Sequence, residues 1–360
     1  MGRVFTVIRN GDEPYRGAPD QDHPMVMVID VGALFGKTLH SHDMDNFLAA
    51  LGDASDLLRS DLPPFQFLTI DLSNLTYVTP SGLTWLLVAL HALRNPNRRK
   101  QEPSIDIPTS EGRQPATNPT VRVIPPGPPH QLHYWLKWMG FFEFVEEHGI
   151  ACDWEKPKVA LPPDAERRLK SQTVLVLTEL RTGVDVARVV REVTGSVATL
   201  LQNHLGYTGY DVAILGMMLS EACHNILDHA GEDACGLVAA QVIRRSKQLP
   251  YVQIGVADNG IGIRSSLSRA HPDASTWPHE QAIREALKRG VSGVPEEDRG
   301  LGLWSIVDKI TDYQGTLHLR SGDARVRVKA REDGSVDYNV YPSHASVPGT
   351  MLCLTLRKRT

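Results

Sequence analysis

The segment Leu219-Ser220-Glu221-Ala222-Cys223-His224-Asn225-Ile226-Leu227-Asp228-His229-Ala230 carries Glu221, Asn225 and His229 at intervals of four residues. On a helix of 3.6 residues per turn this spacing puts all three on one face, drifting by about 40° per step. Leu215, Met218, Leu219, Ala222 and Ile226 fall on another face and read as core. The polar line joins a carboxylate, a carboxamide and an imidazole. A carboxylate positions a water or hydroxyl for attack on a phosphate. A carboxamide oxygen suits Mg²⁺, a hard octahedral ion that keeps waters and takes few protein ligands. Alone, the same line also describes an ordinary solvated helix face.

The chain beyond this helix narrows the choice. Val252 to Ala257 reads as a buried strand that ends in Asp258-Asn259-Gly260-Ile261-Gly262-Ile263. An Asp at a strand end, followed by two glycines at spacing two, lets backbone approach a planar ligand while the carboxylate accepts from an exocyclic amine. Arg299-Gly300-Leu301-Gly302-Leu303 then opens a helix at Trp304 to Ile310. Unpaired N–H groups and the helix dipole make such a loop an anion site. Gly349-Thr350 enters a last strand, Met351 to Leu356.

Glu-x-x-x-Asn-x-x-x-His, Asp-x-Gly-x-Gly, Gly-x-Gly before a helix and Gly-Thr on a last strand, in this order, resemble the GHKL superfamily of gyrase, heat-shock chaperone ATPases, histidine kinases and mismatch-repair ATPases. The resemblance covers roughly residues 172–360. It implies the α/β two-layer Bergerat fold: a mixed sheet covered by helices on one face, with ATP between helices and a mobile lid. It implies Glu221 as general base or water-positioning group, Asn225 as the Mg²⁺ ligand and Asp258 as the adenine-reading carboxylate. Gly260, Gly262, Gly300, Leu301 and Gly302 would line the nucleotide, Arg299 would contact a phosphate, and Thr350 would bond the adenine edge. His229, near the helix C-terminus, suits capping as well as nucleotide contact.

Upstream, residues 1–23 read as a polar tail, or as a short strand at Val4 to Ile8. Met25 to Ile29, Phe65 to Ile70 and Val121 to Ile124 read as strands; Asp43 to Leu58, Leu83 to Leu93 and His130 to Met139 read as helices. Phe141 to Val145 reads as extended, and residues 95–120 as a Pro- and Asn-rich loop insertion. The alternation points to an α/β layer over residues 24–150. Phe67 to Leu75 and Thr79-Pro80-Ser81-Gly82-Leu83, with Met139-Gly140-Phe141-Phe142, resemble a STAS domain, the fold of anti-sigma-factor antagonists. In that family the serine matched by Ser81 accepts phosphate from a GHKL kinase, which makes Ser81 a candidate phosphosite. Thr79 replaces the usual acidic residue, and Ser81 also reads as a helix N-cap.

Residues 151–171 read as a Pro-rich linker and 172–360 as the nucleotide domain. There Val174 to Leu177 reads as a strand, Asp185 to Leu205 as one helix, and Leu237 to Ile243 with Val252 to Ala257 as an antiparallel hairpin. Residues 264–299 read as the lid, Gly315 to Leu319 and Arg325 to Lys329 as separate strands, and Arg331 to Pro348 as a polar excursion.

Composition bounds the function. The chain has 360 residues, 41% hydrophobic and 22% charged, ordinary for a soluble globular protein. Its net charge of −4 gives no basic field for nucleic acid. Four cysteines form no C-x-x-C pair, so no zinc site or disulfide framework is expected. No run of about 18 apolar residues suggests a membrane span, and the cytoplasm is the expected location. The expected ligands are ATP and Mg²⁺, and protein partners are expected through the STAS-like half; a homodimer stays open. Three functions fit: an ATPase or kinase-like protein signalling through the STAS-like half, an anti-sigma-type serine/threonine kinase in partner switching, and a non-catalytic ATP-gated interaction module.

Overall fold

The structure is a computed structural model and describes residues 5–9, 25–31, 38–39, 65–94, 120–153, 162–231, 234–244, 249–291 and 302–357. The chain divides into two compact units, Met1–Val78 with Ala89–Leu161, and Thr79–Val88 with Pro162–Thr360. The expected helix over Asp43 to Leu58 and most of the 95–120 insertion lie outside the described residues.

The first unit holds strands β1 (Phe5–Arg9), β2 (Met25–Asp30), β3 (Thr38–Leu39), β4 (Phe65–Asp71) and β5 (Tyr77–Val78). Helix α1 (Pro80–Arg94) runs from the second unit's share of the chain into the first. Then come β6 (Thr120–Ile124), helices α2 (Gln131–Trp138) and α3 (Phe141–Glu147), and β7 (Ala151–Cys152). The main sheet has the order β1-β2-β4-β6-β7, antiparallel only between β1 and β2. Parallel neighbours need long crossovers, and α1 and the α2–α3 pair lie on two of them.

Two expectations are corrected here. Phe141 to Val145 is helical, not extended. Gly140, at φ 86°, closes α2 and opens α3, and Phe141, Phe142, Phe144 and Val145 are all buried. That spacing is helical, and the aromatic, β-branched composition obscured it. Ser81 is not the cap of α1. The helix begins at Pro80, and Thr79 caps it: its Oγ1 accepts from Gly82 N at 3.1 Å. Proline suits the first helical position because its missing N–H would have no partner there.

In the second unit come α4 (Pro163–Lys170), β8 (Thr173–Leu180), α5 (Gly183–Thr194), α6 (Ala198–Leu205) and α7 (Gly209–His229). Next are β9 (Gly236–Ile243), β10 (Tyr251–Asp258), α8 (Gly262–Leu267) and α9 (His279–Ala286). The unit ends with α10 (Gly302–Ile310), β11 (Thr316–Ala330) and β12 (Val336–Arg357). The sheet order is β11-β12-β10-β9-β8. Every pairing in it is antiparallel, which corrects the expected mixed sheet.

Four further readings change. Part of the expected linker is α4, begun by Pro163. The single helix over 185–205 is two, broken at Gly195, where a Cβ would meet Arg191 O at 2.8 Å. The two short strands near 315–329 are one strand with register shifts around Gly322, at φ 58°. The polar excursion is a tight turn, Arg331 N to Ser335 O at 2.8 Å, leading into β12.

Val252, Ile254 and Val256 of β10 face the core, with Leu215, Leu219 and Ile226 of α7. Gln253 and Gly255 point the other way. There Ser81 Oγ donates to Gln253 Oε1 at 3.2 Å, and Ser81 is fully buried. The segment Thr79–Val88 thus covers part of the second face of this sheet.

Candidate nucleotide site

Helix α7 positions the polar line found in the sequence. It starts from a capping box: Asp211 N donates to Thr208 Oγ1 at 3.2 Å, and Thr208 N to Asp211 Oδ2 at 2.7 Å. Tyr313 Oη donates to the other Asp211 oxygen at 2.9 Å, pinning the buried carboxylate. With that start fixed, Glu221, Asn225 and His229 all line one cavity of about 290 Å³. Asp258, Gly262, Gly302 and Thr350 line it too, so side chains from α7, β10, α8, α10 and β12 converge. Its walls are apolar at Ile226, Val256, Ile263 and Leu352. A cleft with apolar walls and convergent polar groups is the form of a small-molecule site.

At one end stands Asp258, 4% exposed. Gly260 N donates to its Oδ1 at 2.8 Å, and the Thr350 N–H also supports it. Burial outweighs both bonds and pushes the carboxyl up to about 7. The glycines beside it are required by close packing. A Cβ at Gly260 would lie 2.1 Å from Ala230 O; one at Gly349, at φ 80°, would lie 2.0 Å from Asp258 O. We expect Gly349→Ala to cost about 2 kcal/mol or more, because left-handed strain and backbone collision add. Chemical denaturation checks this, and a Gly349→Ala midpoint equal to the parent's contradicts it.

At the other end stand Glu221 and Asn225. Asn225 Nδ2 donates to Glu221 O at 2.7 Å, which leaves its Oδ1 as an acceptor or ligand. Gly302 begins α10 beside them: a Cβ there would sit 3.4 Å from Asn225 Nδ2 and 3.6 Å from Glu221 Oε2. The start of α10 thus lies against a carboxamide and a carboxylate, and a helix start favours an anion. His229 reaches across to the next helix. Its Nδ1 meets Ser266 Oγ of α8 at 3.0 Å, on the cavity wall.

Arg299, Gly300 and Leu301 lie outside the described residues. Of the expected lid, residues 264–291 are described, and Leu267, Ala282 and Ile283 belong to the core. Sequence reading missed Ser266 and Ser321. Ser321 Oγ accepts from Ile263 N and donates to Gly349 O, both at 2.9 Å, tying the Gly262 turn to β12. The 58 residues between Ser321 and Ile263 left no local signal.

Residues 210–356 match the family of histidine kinase-, DNA gyrase B-, and HSP90-like ATPases. They form a GHKL ATPase domain. No curated protein matches the chain. The matched span contains α7, the Asp258 turn, Gly302 and Thr350, so the family likeness and the cavity coincide. A domain of this kind implies ATP binding. Among the described residues no helix is long and apolar enough to cross a membrane.

Proposed function

We propose that this protein binds Mg·ATP in the cavity between α7, α8, α10 and β12, and that the nucleotide's state signals through the N-terminal half. The observation that carries the reading is the convergence of Asp258, Asn225 and Glu221 on one cavity within the matched domain. Asp258 and Thr350 would take the adenine edge, the carboxylate accepting from the exocyclic amine. Asn225 Oδ1 would hold Mg²⁺; its amide nitrogen is already used on Glu221 O. Bound there, Mg²⁺ would neutralise phosphate charge. Glu221 would take a proton from the group attacking the γ-phosphate.

The parallel β2-β4-β6-β7 arrangement with its crossover helices supports a STAS-like N-terminal half that meets protein partners. Ser81, as a phosphoacceptor, would first have to leave its buried bond to Gln253.

The test is intact mass after incubation with Mg·ATP, with phosphate release followed in the same sample. We expect Glu221→Ala to keep ATP affinity within about threefold and to lower turnover roughly 10²-fold or more, the usual scale for a positioned proton acceptor. Equal turnover in the variant would remove Glu221 from the reaction.

A further inference from the structure

Ser266 of α8 offers the cavity a hydroxyl that is held in place and can still make a bond. It is 5% exposed, lines the cavity together with His229, and its Oγ stands 3.0 Å from His229 Nδ1. The pair sits between the two ends of the cavity. On α7, His229 lies four residues beyond Asn225, about 6 Å along the helix axis. The next residue, Ala230, touches the Asp258 turn: Ile261 N donates to Ala230 O at 3.1 Å, and Gly260 packs against Ala230. A hydroxyl has one hydrogen and two acceptor lone pairs. If Ser266 donates to Nδ1, its lone pairs remain to accept; if it accepts from Nδ1, its hydrogen remains to donate. In either tautomer of the imidazole it can therefore bond a hydroxyl of a ligand, which both donates and accepts.

In ATP the ribose separates the adenine from the phosphates. With the adenine at Asp258 and the cation at Asn225, the sugar falls against His229 and Ser266. Resting on the ATP-binding function of this cavity, we propose that Ser266 Oγ, positioned by His229, bonds a ribose hydroxyl, and that the site thereby selects ribonucleotides over deoxyribonucleotides. A buried polar group that bonds a ligand hydroxyl rejects the analogue lacking it, because that group is then left without its bond. His229 acts here as a positioning residue: it fixes where the Ser266 hydroxyl points.

The experiment titrates the full chain and two variants with ATP, 2′-deoxy-ATP and 3′-deoxy-ATP in Mg²⁺. The parent is expected to bind one of the two deoxy analogues roughly tenfold more weakly than ATP, the scale of one lost hydrogen bond. Ser266→Ala should bring ATP down to the affinity of that analogue and leave the analogue's own affinity within about twofold. The ratio separates this role from a structural one, since a loosened cavity weakens all three nucleotides alike. His229→Ala keeps the hydroxyl but not its holder, and should cut the ratio to about threefold. Equal affinity of the parent for all three nucleotides overturns the proposal. So does discrimination that survives undiminished in Ser266→Ala, which would move sugar recognition to Asp228, the carboxylate beside His229 on the cavity wall. A parent chain that binds none of the three overturns the underlying ATP-binding function instead.

Discussion

Asp258→Asn is expected to weaken ATP binding by roughly 10²-fold, about 3 kcal/mol, the scale of a lost hydrogen bond to a buried charge. The carboxylate does two jobs at once. It accepts from the Gly260 and Thr350 N–H groups, and it would accept from the adenine amine. An amide has one acceptor atom and one donor atom. Whichever way it is flipped, its NH₂ faces another donor, either the adenine amine or the backbone N–H groups. A titration showing parental affinity in Asp258→Asn would move adenine recognition elsewhere.

The same residue sets a pH dependence. Its carboxyl is raised from 3.8 to about 7 by burial, so the empty site holds the proton over that range. An exocyclic amine needs the ionised form. ATP affinity should therefore rise as pH increases through about 7. Stability of the ligand-free chain runs the other way. The native carboxyl binds its proton more tightly than the unfolded one, so stability falls as pH rises from about 4 to about 7. Both trends should flatten in Asp258→Asn.

Gly255→Val should unfold the second unit more easily than a substitution at any open glycine. Gly255 faces away from α7, onto the start of α1. A Cβ there would lie 2.4 Å from Ser81 Cα and 2.7 Å from Ser81 N. Those are backbone atoms at a capped helix start, which cannot swing aside as a flexible side chain does. The cost should be about 3 kcal/mol, at the upper end for overpacking. For a unit of this size that lowers the melting temperature by about 6–12 °C. Gly183→Ala is the control, since nothing lies within 4 Å of its Cβ position. A Gly255→Val melting curve matching the parent's would show that Thr79–Thr84 does not sit on β10.

The features legible in the sequence were those set by local spacing. The four-residue interval fixed one face of α7, and Glu221, Asn225 and His229 do meet on one cavity. The Asp258 turn was legible because only glycine allows backbone so near Ala230 O, and Gly302 because a Gly-x-Gly before a helical run marks a loop that opens a helix. What stayed hidden depends on distant chain. Ser321 reaches the site through a bulge in β11, and β12 is stabilised by pairing with both β10 and β11, which overrides its polar composition. Ser266 is visible only once α8 lies against His229. The burial of Ser81 could not be read from a turn motif, because its partner Gln253 is 172 residues away.

The most direct measurement is a calorimetric titration of the full chain with a non-hydrolysable ATP analogue in Mg²⁺. The account predicts saturable binding at one site, not reproduced by a guanine analogue, whose 6-oxo group presents an acceptor where Asp258 needs a donor. Absence of saturable binding up to millimolar ligand, or equal affinity for the two bases, would contradict it.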